Sequence, residues 1–174
     1  LINFNAASRL PLHVYIASSM PMGRGLGSSA SVFTAVVKSL ARYLNHTVSP
    51  AQVASAASDA DHSVHGNASG IDVTVCAYAQ CISYCRGAEP DILTVPRGFT
   101  LAIADTGSPG FTRKAVSHVR QKHTNDQTAC IRIINDIGAV STAACAAIQQ
   151  GEPALLGPLM DKNHELLQKL GVST

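Results

Sequence analysis

Three glycines alternate in Pro21-Met-Gly-Arg-Gly-Leu-Gly27, a spacing that neither helix nor strand accommodates and that demands a tight loop. Before the loop, Leu12 to Met20 (LHVYIASSM) is rich in β-branched and aromatic residues and predicts a strand. After it, Val32, Val36, Val37, Leu40 and Leu44 recur at three- and four-residue spacing and predict a helix over 28–44, with Ser28 or Ser29 as its N-cap. A glycine loop running into a helix N-terminus is a phosphate-binding arrangement in physical terms. Glycines let backbone N–H groups approach an anion, and the first turn of the helix adds unpaired donors and a positive partial charge. The hydroxyls of Ser28 and Ser29 have the chemistry to bond phosphate or to coordinate Mg²⁺.

The remaining punctuation organises the rest of the chain. Ser49-Pro50 predicts the start of a second, Ala-rich helix running to about Val64, with Ser as cap and Pro at the first helical position. A turn at 65–68 leads to a short helix or turn that opens at Ser69-Gly70 and carries Asp72. Cys81 to Cys85 and Phe99 to Ala104 read as strands joined by a polar link over 87–96. Residues 112–150 read as helical with a break near 123–125, and Pro158 to Leu170 as a further amphipathic helix. A domain boundary is expected near Pro96, giving an N-terminal part over 1–95 and a C-terminal part over 96–174.

Composition excludes several classes. With 46% apolar and 14% charged residues, the 174-residue chain is a globular protein with a core. A net charge of +2 without a basic run, no Trp and 5% aromatics argue against a nucleic-acid or anionic-membrane partner. No segment reaches the apolar length of a membrane span on this reading, and no signal peptide is apparent. The five cysteines, Cys76, Cys81, Cys85, Cys130 and Cys145, lack zinc-type spacing and are expected to be buried reduced thiols.

Two familiar loop classes do not fit. A Walker loop needs a Lys before its Ser/Thr, and a dinucleotide fold needs a third Gly where Ser28 stands and an acid at the end of the next strand. The segment Pro21-Met-Gly-Arg-Gly25-Leu-Gly-Ser-Ser-Ala30 instead resembles, in full, the Pro-x3-Gly-Leu-Gly-Ser-Ser-Ala motif of the GHMP kinase superfamily. Within it, His65-Gly-Asn-Ala-Ser-Gly-Ile-Asp72 is similar to a segment of the mevalonate kinases, as is the stretch Asp105-Thr106, Thr112-Arg113, Val119-Arg120. The tail, Leu159-Met160 with Asn163 and Leu170-Gly171-Val172, resembles the helix that precedes that family's last motif.

The resemblance implies an α+β GHMP kinase fold: an N-terminal part with helices on a mixed sheet, then a ferredoxin-like C-terminal part, both incomplete. The chain reads as a central piece without the family's N-terminal Lys segment and C-terminal Gly-rich motif. The implied reaction is ATP-dependent phosphorylation of mevalonate to 5-phosphomevalonate for isoprenoid synthesis, with ATP and Mg²⁺ as cofactors. Another GHMP kinase acting on phosphomevalonate, homoserine or a sugar, or a silent binding protein of the same fold, is the alternative. A cytoplasmic location and a homodimer are implied in the same way.

Residue by residue, the resemblance makes Asp72 the catalytic carboxylate and assigns the phosphates to Gly23, Arg24, Gly25, Leu26, Gly27, Ser28 and Ser29, with Ser18 on the nucleotide. His65, Ser69, Gly70 and Thr106 fall where the family meets its acceptor or closes the site. Ser29 is the implied Mg²⁺ ligand. The second is a Glu in the family, and Asp61 stands there, eleven positions before Asp72 and one methylene shorter. Each has a plainer reading: a helix cap for either Ser, a capping or salt-bridged carboxylate for Asp72, a surface carboxylate for Asp61. His62 and His65 suit a hard oxygen-seeking cation poorly and read as structural.

Overall fold

The computed structural model describes residues 12–65, 68–105 and 112–173, the side chains of His65, Thr112 and Arg113 excepted. The chain divides into two compact units, Leu1–Ile92 and Leu93–Thr174.

In the first unit the glycine loop delivers the chain to α1, Ser28–Tyr43. Contrary to the sequence expectation, neither Ser28 nor Ser29 is the N-cap. Gly27 takes that place at φ +72°, a left-handed conformation that glycine reaches without steric penalty, and a residue without a side chain supplies no cap. Helix α2, Pro50–His65, begins as expected. Ser49 Oγ accepts the Gln52 amide at 3.2 Å while Gln52 Oε1 accepts the Ser49 amide at 2.8 Å, a reciprocal capping box. Helix α3, Ile71–Tyr78, is two turns long and carries Asp72 in its first turn. The three helices pack on a small-residue core of Ala30, Ala57 and Val73, with Phe33, Val37 and Cys76 closing around it. An Ala-rich α2 makes this close approach possible.

The sheet expectations hold less well. Strand β1 is only Ile82–Ser83, and its antiparallel partner β2, Asp91–Ile92, lies in the segment read as a polar link. Leu12 to Met20 and Phe99 to Ala104 form no strand and join no sheet among the described residues. Tyr15 is 92% exposed and Ile103 74%. Strand propensity records how well a side chain suits a pleated, half-buried surface, and a strand also needs a hydrogen-bonded neighbour. The expected mixed sheet therefore reduces, among the described residues, to one two-stranded pair.

In the second unit α4, Thr112–Asn125, and α5, Gln127–Gln149, are separated at Asp126, whose side chain caps α5 by accepting the Ala129 amide at 2.9 Å. A 3-10 turn at Pro153–Leu155 leads into α6, Leu156–Leu170, which starts two residues before the expected Pro158, so Gly157 and Pro158 lie inside its first turn. Pro is tolerated at that point because first-turn amides have no helical acceptor. Lys122 on α4 donates to the Lys169 carbonyl near the C-terminal end of α6, and a Cβ on Gly171 would run into His118. Among its described residues this unit contains helices and no strand, so the expected ferredoxin-like sheet is absent from them.

Two composition-level expectations are corrected. Helix α5 is long and apolar enough, by length and composition alone, to cross a membrane: 23 residues, mean hydropathy 1.4 in its apolar window, of which 6% is buried. The low weight of Ala and Cys on the eye hides a segment whose charges are only Arg132 and Asp136. The five thiols are all free, but Cys130 alone is buried and Cys85 is exposed.

Candidate functional site

Gly23, Gly25 and Gly27 adopt φ of +71°, +72° and +72°. A Cβ added at Gly23 or Gly25 would meet nothing within 4 Å, so backbone conformation, not packing, makes glycine necessary there. A side chain in the left-handed region costs about 1–2 kcal/mol per residue. The alternating turns aim the loop into α1, whose first turn has no side-chain cap at Gly27. The Ser31 amide bonds the Gly27 carbonyl at 2.9 Å, and Ser31 Oγ bonds the Ser28 carbonyl at 2.8 Å, which closes the first helical turn. A helix start of this kind presents donors and a positive partial charge to an anion. Ser18 serves the approach: its Oγ accepts the Met20 amide at 3.1 Å and turns the chain into the loop.

The core places the candidate residues. Ala30 follows Ser29, Val73 follows Asp72, and Ala57 lies one helical turn before Asp61 on the same face of α2. Ser29, Asp61 and Asp72 thus stand on three helices that share this core. The loop and the carboxylate helix come close at Gly27, where an added Cβ would lie 3.9 Å from the Asp72 Cβ. Asp72 and Ser29 are exposed and Asp61 is half-buried. Asp72 sits in the first turn of α3, where a negative charge complements the helix dipole.

Asp72 also marks its surroundings electrostatically. Burial pushes the Cys76 thiol up, the Asp72 charge pushes it further in the same direction, and the Lys38 ammonium pulls it back. Lys38 reaches from α1 to donate to the carbonyls of Cys76, at 3.3 Å, and Ala77, at 3.1 Å. At the other end of α3, Tyr84 Oη donates to the Ser69 carbonyl at 2.8 Å. Gly70, at φ +85°, leaves room for that hydroxyl, since a Cβ there would come within 2.8 Å of it. Sequence reasoning singled out neither Lys38 nor Tyr84. Both act through contacts distant in sequence.

The other expected site residues divide as follows. Ser69 accepts the Ile71 amide on its hydroxyl at 3.4 Å and Gly70 is buried, so both shape the start of α3. His62 Nδ1 donates to the Ser58 carbonyl at 2.8 Å, a structural use. The side chain of His65, and Thr106 with Gly66 and Asn67, lie outside the described residues. Among the described residues no three His, Cys, Asp or Glu side chains converge as a metal cage. The Ser29 hydroxyl and the Asp61 carboxylate are hard oxygen donors of the type Mg²⁺ takes, with phosphate oxygens and waters to complete its shell. A cavity of about 390 Å³, lined by Lys38, Arg42, His46 and Val53 among others, opens at the far end of α1 and is separate from the glycine loop.

Known proteins resemble this chain. The family described as the GHMP kinases N terminal domain matches residues 2–80. The mevalonate kinase of Thermococcus sibiricus is 32% identical over 179 aligned residues, covering 100% of this chain and 53% of that protein. The mevalonate kinase of Pyrococcus horikoshii is 33% identical over 173, covering 95% and 50%. The chain spans about half the length of these relatives. The crystal structure of L. major mevalonate kinase in complex with R-mevalonate aligns with a TM-score of 0.69 at 24% identity, over 85% of this chain and 46% of that one, and shares its fold.

Proposed function

We propose that the chain, which matches the GHMP kinases N terminal domain over residues 2–80 and aligns with mevalonate kinases along its whole length, supplies the phosphate loop and the catalytic carboxylate of an ATP-dependent mevalonate kinase of the GHMP superfamily. The observation that carries this reading is the proximity of Gly27, at the end of the left-handed glycine loop, to Asp72: a Cβ built on Gly27 would lie 3.9 Å from the Asp72 Cβ. A phosphate donor and a proton acceptor are needed side by side for transfer to an alcohol, and this proximity supports such an arrangement.

In the proposed reaction the primary hydroxyl of mevalonate forms a bond to the γ-phosphorus of ATP, the bond from that phosphorus to the β–γ bridging oxygen breaks, and ADP leaves. Asp72 orients the hydroxyl and takes its proton. The loop amides from Gly23 to Gly27 and the first turn of α1 hold the phosphates in line. Such catalysis is mainly positioning and charge neutralisation. Mg²⁺, when bound, neutralises phosphate charge; Ser29 and Asp61 are the residues that would hold it. Ser69 and Gly70 set the entry to α3, and with it the place of the carboxylate. The test is ATP consumption by the protein at its natural full length, screened over mevalonate, phosphomevalonate, homoserine and galactose. The reading requires mevalonate to be the preferred acceptor; preference for another alcohol by tenfold or more would replace it.

A further inference from the structure

A helix of two turns is not stable by its own hydrogen bonds, because nucleation costs more than so short a run returns. Helix α3 is of this length, yet it carries Asp72, and a proton acceptor must be placed to a fraction of an ångström. What holds it is visible at each end. Tyr84, from β1's far side, donates through its hydroxyl to the Ser69 carbonyl two residues before the helix. Lys38, from the middle of α1, donates to the Cys76 and Ala77 carbonyls in the last turn. Those carbonyls lack helical partners and carry the negative end of the dipole, so an ammonium group suits them. Between the ends, Thr74 Oγ1 donates to the Gly70 carbonyl at 2.7 Å and Val73 is fully buried.

We propose that Lys38 and Tyr84 are positioning residues that clamp α3 at its two ends and thereby fix Asp72 against the phosphate loop. The inference rests on the reading of Asp72 as the catalytic carboxylate. Lys38 contributes more than a cap, because it stands on the helix whose first turn carries Ser28 and Ser29. One side chain therefore couples the element that receives phosphate to the element that bears the carboxylate. Tyr84 sets the opposite end, and Gly70 is glycine in part to admit its hydroxyl.

The clamp is tested in the full-length protein with Lys38→Met, Lys38→Arg and Tyr84→Phe, by steady-state kinetics with ATP and mevalonate and by amide hydrogen exchange over residues 71–79. Lys38→Met is expected to lower kcat about tenfold and Tyr84→Phe about threefold, since small displacements of a reacting group are costly. KM for ATP stays at its wild-type value, because the glycine loop is untouched. Exchange in 71–79 accelerates in both while α1 and α2 keep their protection. Lys38→Arg, which retains the charge and donors, recovers most of kcat. Faster exchange with unchanged kcat would make the clamp merely structural and overturn the proposal, and so would unchanged exchange. Loss of protection across all three helices would reduce it to general destabilisation. An Asp72→Asn control with wild-type turnover overturns the underlying reading instead, and is recognised without reference to the exchange data.

Discussion

A Cβ placed on Gly27 would stand 3.9 Å from the Cβ of Asp72, so a side chain at the residue that ends the glycine loop would be in van der Waals range of a residue in the first turn of the carboxylate helix. The φ of +72° at Gly27 reserves that position for glycine on conformational grounds as well. Gly27→Ala is expected to destabilise the protein by about 1–2 kcal/mol, the cost of a side chain in the left-handed region. It also rotates the amides that follow, so KM for ATP rises more than the Tm loss alone accounts for. Thermal unfolding with and without ATP checks both parts, and an unchanged Tm would show that the loop relaxes freely.

Ser29→Ala is expected to raise the Mg²⁺ concentration needed for half-maximal rate more than Ser28→Ala does. Ser29 is exposed, whereas Ser28 is partly buried and has backbone donors of the loop beside it that still hold phosphate without its hydroxyl. Rate against Mg²⁺ for the two variants decides the matter. Superimposable curves would remove Ser29 from the metal's ligands.

Asp61 stands half-buried one turn beyond the core residue Ala57, on the face of α2 that meets α1 and α3. Asp61→Asn removes a full charge opposite a divalent ion and is expected to raise the Mg²⁺ requirement. Asp61→Glu separates two geometries. Retained turnover means the helix leaves room for the longer side chain; reduced turnover means that α2 sits close enough for Glu to crowd an octahedral shell. Wild-type behaviour in both variants would make Asp61 a surface carboxylate without a part in the site.

Thr34 is 3% exposed and its Oγ1 has no hydrogen-bond partner among the described residues. A buried hydroxyl in that condition costs roughly 1–3 kcal/mol of desolvation. Thr34→Val keeps the shape and removes the polar atom, and is expected to stabilise the first unit by about 1 kcal/mol. A lower Tm in the variant would mean that the hydroxyl is satisfied in solution.

The local signals in the sequence were the legible ones. Alternating glycines located the loop, Ser49-Pro50 located α2 with its capping box, and the apolar stripe from Val32 located α1 to within one residue of its end. Asp72 is singled out by the resemblance of His65-Gly-Asn-Ala-Ser-Gly-Ile-Asp72 to a segment of the mevalonate kinases, whereas its local sequence reads equally as a helix-capping carboxylate. What the sequence did not disclose is what depends on distant partners. Leu12 to Met20 and Phe99 to Ala104 have the side chains of strands without a paired neighbour among the described residues. β2 escaped because Asp91–Ile92 is too short to show alternation. The cap at Gly27 was missed because serines are better caps in general, and the left-handed geometry of the preceding loop overrules that preference here. Lys38 and Tyr84 reach residues 38 and 15 positions away, respectively, at their nearest bonds, and no local pattern encodes such reach.

The central claim is that the glycine loop holds the phosphates of ATP while Asp72, against it, takes the proton of the attacking alcohol. The most direct measurement is transfer of labelled γ-phosphate from ATP to mevalonate by the full-length protein, wild type beside Asp72→Asn, with ATP affinity measured in parallel. The account predicts labelled phosphomevalonate from the wild type, a rate about 10²–10⁴-fold lower in the variant, and ATP affinity nearly unchanged. Turnover near the wild-type rate in Asp72→Asn, or no transfer to mevalonate by a wild type that binds ATP, would contradict it.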